Sequence, residues 1–504
     1  MRHFSIGMAA LSMTAMAAAA PAGRPNILFI MADQMRGDCT GADGNKIIRT
    51  PTLDRLAAEG ARFRCAYTST PSCTPARAAI LTGQSPWRHG MLGYYRVAER
   101  YPQELPRLLA DAGYHCVGIG KMHYHPQRNT HGFHRTLLDE SGREQSIDFR
   151  SDYRSWFYSL EPNANPDLTG IGWNDYRAKT YALSEEMHPT HWTGQTAVNF
   201  LKSYSGAQPF FLKVSFARPH SPYDPPERFM KMYENADMPE RAIGAWSARN
   251  DRPADQNNHS LWRGNLGPEA PRKARRAYYG SISFIDEQIG RILKTLEQRG
   301  LLDSTLILFT ADHGDMLGDH HLWRKTYAYE GSARIPMLIR CPEGMKSARG
   351  QVLEQPVELR DLLPTFLDAA GAQYEERAFD GRSLLKLIRG QNEGWREFID
   401  LEHSVCYSPE NHWSALTDGR IKYIFHAPTG QEQLFDLTSD PRELEDLAAD
   451  PAHRQTLERW RGRLIDHLSE RGEGFVKNGK LVAPRENMLL SPNYPKDATE
   501  KTKS

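Results

Sequence analysis

The sequence predicts a layered α/β fold built on buried parallel strands with helices between them. A small antiparallel sheet and a helix follow it. Three observations carry this. Four apolar runs are nearly continuous, as strands buried on both faces must be. Helical periodicity lies between them. A C-terminal stretch then changes to short β-like runs separated by turn residues.

The four runs are 26–32 (NILFIMA), 117–120 (VGIG), 210–216 (FFLKVSF) and 305–311 (TLILFTA). Each ends in polar residues able to do chemistry: Asp33-Gln34, Lys121-Met122-His123, Arg218-Pro219-His220 and Asp312-His313-Gly314-Asp315. In open α/β sheets, ligands bind outside the carboxyl ends of the strands. Four runs delivering Asp, His and Lys to that edge predict one shared pocket.

Between runs, residues 277–299 place Ile282, Ile285, Ile289, Ile292, Leu293 and Leu296 at helical spacing, with Gly300 as a stop. This alternation predicts an α/β domain over about 24–385. In 412–437 three β-like runs are separated by Asp418-Gly419 and Thr429-Gly430. A helix over 452–469 completes a small subdomain of about 390–475. A polar, Pro-containing tail, 476–504, is expected to wrap the surface.

Among 504 residues, 63 Lys and Arg nearly balance 62 Asp and Glu, so no polybasic nucleic-acid or membrane surface is expected. Residues 1–20 read as a secretory signal. Arg2 and His3 form the n-region, Phe4 to Ala17 the apolar core, and the alanines to Ala20 a cleavage site. The apolar run is shorter than the roughly 20 residues of a membrane span, so stable membrane insertion is not expected. The expected location is periplasmic or secreted. Six cysteines, at 39, 65, 73, 116, 341 and 406, fit neither a zinc ribbon nor a dense disulfide scaffold.

The chemistry centres on Cys73. Pro75 suits a first helical turn, Ala76 to Leu81 are good helix formers, and Gly83 can close the helix. Cys73 then stands at a helix N-terminus, where free N–H groups and the dipole favour an anion.

Cys73-Thr74-Pro75-Ala76-Arg77, with Thr82-Gly83 after it, resembles the Cys-x-Pro-x-Arg signature of the type I sulfatases. The resemblance implies their fold, an alkaline-phosphatase-like α/β/α sandwich with a large mixed, mostly parallel sheet. In that family a maturation enzyme oxidises the cysteine to formylglycine (3-oxoalanine). The hydrated aldehyde attacks sulfur through one hydroxyl, and the other then expels sulfate. The resemblance implies this formylglycine-generating enzyme as a partner.

The rest of the chain extends the resemblance. Gly113 to His123 is similar to the second family signature, with Cys116 where Ser or Thr is usual and Met122 where Trp is common. It implies that Lys121 contacts a sulfate oxygen and that His123 bonds the formylglycine diol. Arg218-Pro219-His220-Ser221-Pro222 resembles the segment whose His220 protonates the departing alcohol. Lys325, before Tyr329-Glu330-Gly331, is then a sulfate or leaving-group contact, and Arg77 bonds the diol. One divalent cation, calcium foremost and magnesium next, is expected on Asp33, Gln34, Asp312, His313 and the oxidised Cys73. The family often has Asp-Asp and Asp-Asn where this chain has Asp33-Gln34 and Asp312-His313. Thr50 to Ala57 and Leu434 to Pro441 match two further family segments that carry no chemistry.

The expected substrate is a sulfated sugar or oligosaccharide from outside the cell. Trp156, Trp173, Tyr176 and Trp192 offer aromatic faces for sugars. Glu402, His403, His412 and Trp413 stand where the small subdomain closes the pocket of related sulfatases, which makes them candidate substrate contacts. Two alternatives remain: a phosphomonoester or phosphonate monoester hydrolase of the same superfamily, whose phosphonate members carry the same Asp-His pair, and a non-catalytic glycan-binding relative.

Overall fold

The computed structural model describes residues 23–495 apart from 142, 144–147, 256 and 346. The expected signal, and the tail beyond 495, lie outside the described residues. Eight strands form the main sheet: β1 (Asn26–Asp33), β2 (Ala61–Phe63), β3 (His115–Gly120), β4 (Arg135–Leu138), β5 (Phe210–Pro219), β6 (Thr305–Ala311), β7 (Met337–Arg340) and β8 (Gln351–Leu353). Their order is β4-β3-β5-β1-β6-β7-β2-β8. All neighbours are parallel except β7, which runs antiparallel to β6 and β2. The layered, mostly parallel α/β fold expected from sequence is therefore present.

The four apolar runs occupy the adjacent central positions β3-β5-β1-β6. Every residue of β1, β5 and β6 is buried. Burying each large apolar side chain stabilises by about 1.5–3 kcal/mol, which places the densest core at this centre. One boundary differs from expectation. β5 continues to Pro219, so Arg218 lies within the strand, and Asp33 pairs in register with Pro219 across a shift at the end of β1. That shift sets Asp33 beside the His220 segment, whose His220 N–H donates to Asp33 O at 3.1 Å.

The long helix spans Glu269–Gln298 and buries all six predicted apolar positions. It begins earlier than its apolar stripe, because its first turns carry charged residues that the periodicity does not register. Asp286 on this helix accepts hydrogen bonds from the Thr52 and Leu53 amides, at 3.0 and 2.8 Å. It thereby satisfies the N-terminus of helix Pro51–Glu59, which gives the 50–57 segment its structural role.

The second, antiparallel sheet holds Trp413–Thr417, Ile421–His426 and Gln431–Asp436, as predicted, plus Ile399–His403 at one edge. Sequence reading misses that edge strand and expects Glu402 and His403 as substrate contacts instead. They are buried because tertiary partners meet them. Helix Arg454–Ser469 packs over this sheet through Leu457, Trp460, Leu464 and Leu468. The chain after it returns along 87–96, where Leu92 N–H donates to Leu489 O and Ser491 N–H to Gly90 O. All six cysteines are free thiols. Among the described residues, no helix is long and apolar enough to cross a membrane.

Candidate active site

Cys73 is the first residue of helix Cys73–Thr82, and Gly83 closes the helix in a left-handed conformation. Ser72 holds the N-cap position but does not cap the helix with its side chain. Its hydroxyl instead meets His403 Nε2 at 3.0 Å. His403 Nδ1 lies against the Ser404 carbonyl, so that nitrogen is the donor and Nε2 accepts from Ser72.

The strand ends converge on Cys73. Its Sγ is 3.1 Å from His313 Nε2, 3.8 Å from Asp33 Oδ1 and 3.9 Å from Lys121 Nζ. Burial and the Asp33 charge push the thiol upward, but Lys121, Lys325 and His313 outweigh them and lower it to about 6. One ligand atom from each of Asp33, Cys73, Asp312 and His313 lies within 4.8 Å of the others. His313 Nδ1 is 2.9 Å from the Gly314 carbonyl, so Nδ1 carries a proton and Nε2 is the nitrogen that faces the cluster.

Arg77 holds this cluster together. It donates to Asp33 Oδ2 and Asp312 Oδ2, both at 3.0 Å, and to the Lys121 carbonyl at 2.5 Å. Lys121 Nζ pairs directly with Asp33. Burial opposes ionisation of Asp33, yet Lys121 and Arg77 hold its carboxyl well below the usual range. Gly120 makes room for Lys121: its φ is +90°, and a Cβ there would meet Ser215 O at 2.1 Å.

Gln34, expected as a metal ligand, meets two protein partners here. Its amide nitrogen donates to Asp315 Oδ2 at 2.5 Å, and its Oε1 accepts from Lys325 Nζ at 2.7 Å. Gln34 thus anchors Lys325. The same ammonium is 2.7 Å from His220 Nε2, while His220 Nδ1 is 2.9 Å from Ser221 O. A carbonyl only accepts, so Nδ1 is the donor and Nε2 accepts from Lys325. Burial, followed by the Lys325 charge, keeps His220 well below the ordinary histidine range. His220 is the residue expected to protonate the departing alcohol; in this geometry its Nε2 accepts from the Lys325 ammonium.

His123 stands at φ +59° with its backbone N–H on Glu140 Oε1 at 2.9 Å. Its Nε2 is met by Arg143 and lies 3.4 Å from Tyr94 Oη. Sequence reading missed Arg143 and Glu140, since no motif surrounds them. Asp315 was visible only as part of the polar end of β6. Trp173, by contrast, reaches the site, stacked on His220 with ring centroids 4.0 Å apart. Trp192 and Trp156 instead pack with Tyr153 in a separate small core, and Tyr176 packs on Trp323.

Of the candidate substrate contacts on the small sheet, none opens to substrate. Glu402 is buried in a two-point ion pair with Arg471, at 2.7 and 2.9 Å. His412 Nε2 is 3.3 Å from Arg485. Trp413 donates to Thr326 O at 2.9 Å, and His403 supports Ser72. His403 and Trp413 thus tie the small sheet to the loop before Cys73 and to the Lys325 loop, while Glu402 and His412 bond arginines of the C-terminal segment.

A buried thiol-bearing helix N-terminus, two bridged carboxylates and converging cations define a hydrolase of anionic esters on an alkaline-phosphatase-like fold. The sulfatase family model matches residues 25–372, and a model of the N-sulphoglucosamine sulphohydrolase C-terminal region matches 318–470. The chain belongs to the sulfatase family and is a sulfatase enzyme. It is 40% identical over 473 residues to an arylsulfatase of Clostridium perfringens, covering 91% of this chain and 97% of that one. It is 34% identical to a choline-sulfatase of Rhizobium meliloti, covering 85% and 83%. Its fold matches the phosphonate monoester hydrolase of Agrobacterium radiobacter with a TM-score of 0.75 at 27% identity, covering 89% and 96%.

Proposed function

We propose that this sulfatase releases inorganic sulfate from a sulfated carbohydrate outside the cytoplasm, using formylglycine made from Cys73 by a maturation enzyme. The supporting observation is the convergence of Cys73 with Asp33, Asp312 and His313 at a helix N-terminus, enclosed by Arg77, Lys121 and Lys325. The N-sulphoglucosamine match in the C-terminal half, and an N-acetylglucosamine-6-O-sulfatase of Bacteroides thetaiotaomicron at 27% identity, support a sugar. The leader-like residues 1–20 support export to the periplasm or beyond.

Two buried carboxylates and a histidine whose Nε2 faces them fit a divalent cation. Asp33, Asp312 and His313 would hold it beside the residue-73 side chain, with calcium or magnesium suited to the carboxylate oxygens. Bound there, the cation would polarise the sulfate, and formylglycine would supply a geminal diol as nucleophile. The protein's own groups do the rest. Arg77 fixes both carboxylates. Lys121 and the helix N-terminus face the sulfate oxygens. Lys325, aimed by Gln34 and His220, donates its proton to the departing alcohol oxygen.

The likeness to the phosphonate monoester hydrolase supports a second reading, a phosphate or phosphonate monoesterase. Turnover of sulfate, phosphate and phosphonate esters sharing one leaving group separates the two. Faster sulfate release is expected, and faster phosphorus-ester hydrolysis would overturn the first reading. Mass spectrometry of the Cys73 peptide should show the aldehyde. Cys73→Ala should abolish turnover and leave the circular dichroism spectrum unchanged.

A further inference from the structure

Arg143 and Trp173 lie against the catalytic cluster yet belong to none of the motifs that built it. Arg143 donates to His123 and lies 3.3 Å from Tyr94 Oη, with its guanidinium 4.4 Å from the Trp173 ring centroid. Among the described residues, no carboxylate pairs with it. The Asp33 and Asp312 carboxylates are already engaged by Arg77 and Lys121. Arg143 is therefore a cation in excess at this edge of the site.

Trp173 is held firmly. Ser221 Oγ lies 3.1 Å from Gly172 O and 2.6 Å from Asp175 O, so one hydroxyl pins both sides of the turn that carries the indole. The ring stacks on His220, with Lys121 Nζ 4.7 Å from its centroid. Its Nε1–H is buried and has no hydrogen-bond partner. A buried donor left unmade costs about 1–3 kcal/mol, so a rigidly held one beside a reacting centre points to an acceptor that arrives with the substrate.

We infer that Arg143 and the Trp173 indole N–H form a second anion site, which selects sulfate esters whose alcohol half carries another anionic group next to the ester. This rests on the sulfatase reading of the same pocket. The second group is a carboxylate or a second sulfate, since both present oxygens to one guanidinium and one N–H. An ester with a cationic alcohol would meet Arg143 as a like charge, and the indole is already stacked on His220 with cations close by. This separates the chain from what the choline-sulfatase relative is named for.

The test uses three aryl sulfates: para-nitrophenyl sulfate, its analogue with a ring carboxylate ortho to the ester, and nitrocatechol bis-sulfate. Calorimetric titration into Cys73→Ala protein reads binding without turnover, and kcat/KM is measured on the matured enzyme. Tighter binding of at least one dianion, by roughly 10–100-fold, is expected. Arg143→Gln and Trp173→Phe, the latter keeping the ring, should each shrink that ratio. The favoured dianion identifies carboxylate or sulfate as the second group. A ratio near one, or equal losses on all three esters in the variants, would overturn the proposal. Retained binding preference without sulfate release by matured enzyme would sink the sulfatase reading and leave the anion site standing. Absence of binding by all three would sink both.

Discussion

Lys325 Nζ lies 2.7 Å from His220 Nε2, and the direction of that hydrogen bond decides which residue holds the proton. His220 Nδ1 is committed to the Ser221 carbonyl, so the imidazole accepts and the lysine donates. Lys325→Met should therefore slow esters of poor leaving groups far more than nitrophenyl esters. A loss of about 10²–10⁴-fold in kcat is expected for alkyl sulfates. A leaving-group series on wild type and variant checks this, and parallel plots would refute the assignment.

Removal of the cation should expose the Asp33, Asp312 and His313 set. Dialysis against a chelator is expected to lower both turnover and Tm, with calcium or magnesium restoring them. Elemental analysis should find one equivalent in wild type and a deficit in Asp312→Asn. Undiminished metal content in that variant would contradict the ligand set.

Glu402 supports the fold, and its substitution should report on stability. Glu402→Ala leaves Arg471 as an unpaired buried charge, at a cost of about 3–5 kcal/mol. Urea unfolding should show that loss, while KM for sugar sulfates stays unchanged. A raised KM with unchanged stability would restore Glu402 as a substrate contact.

Lys213 gives a signed pH dependence. It is buried in β5, and burial, followed by repulsion from Arg77, lowers it from 10.5 to about 7. Between those values the unfolded chain binds more protons than the folded one, so stability rises with pH, by at most about 1.4 kcal/mol per pH unit. Denaturant midpoints from pH 7 to 10 should rise more steeply in wild type than in Lys213→Met. Identical slopes would show that Lys213 titrates normally.

Much of the site was legible because its chemistry hangs on strand ends. Continuous apolar runs announce β1, β3, β5 and β6, and Asp33, Lys121, His220 and Asp312 follow directly after them. Arg143, Trp173 and Asp315 were harder to see. Their roles depend on loops of irregular backbone whose course no periodicity records. Glu402 and His412 differ from expectation for a related reason: each is buried against an arginine, Arg471 or Arg485, that lies far along the chain.

The sequence by itself determined the layered fold, the Cys73 helix and the family, because apolar patterning, Pro75, Gly83 and Arg77 are local signals that need no distant contact. Only the tertiary structure decided how the polar groups share protons and partners. Gln34 goes to Lys325, the proton sits on the lysine beside His220, and Ser72 turns to His403. Each outcome depends on which buried donor lies opposite which acceptor, and that pairing exists only once strands far apart in the chain meet.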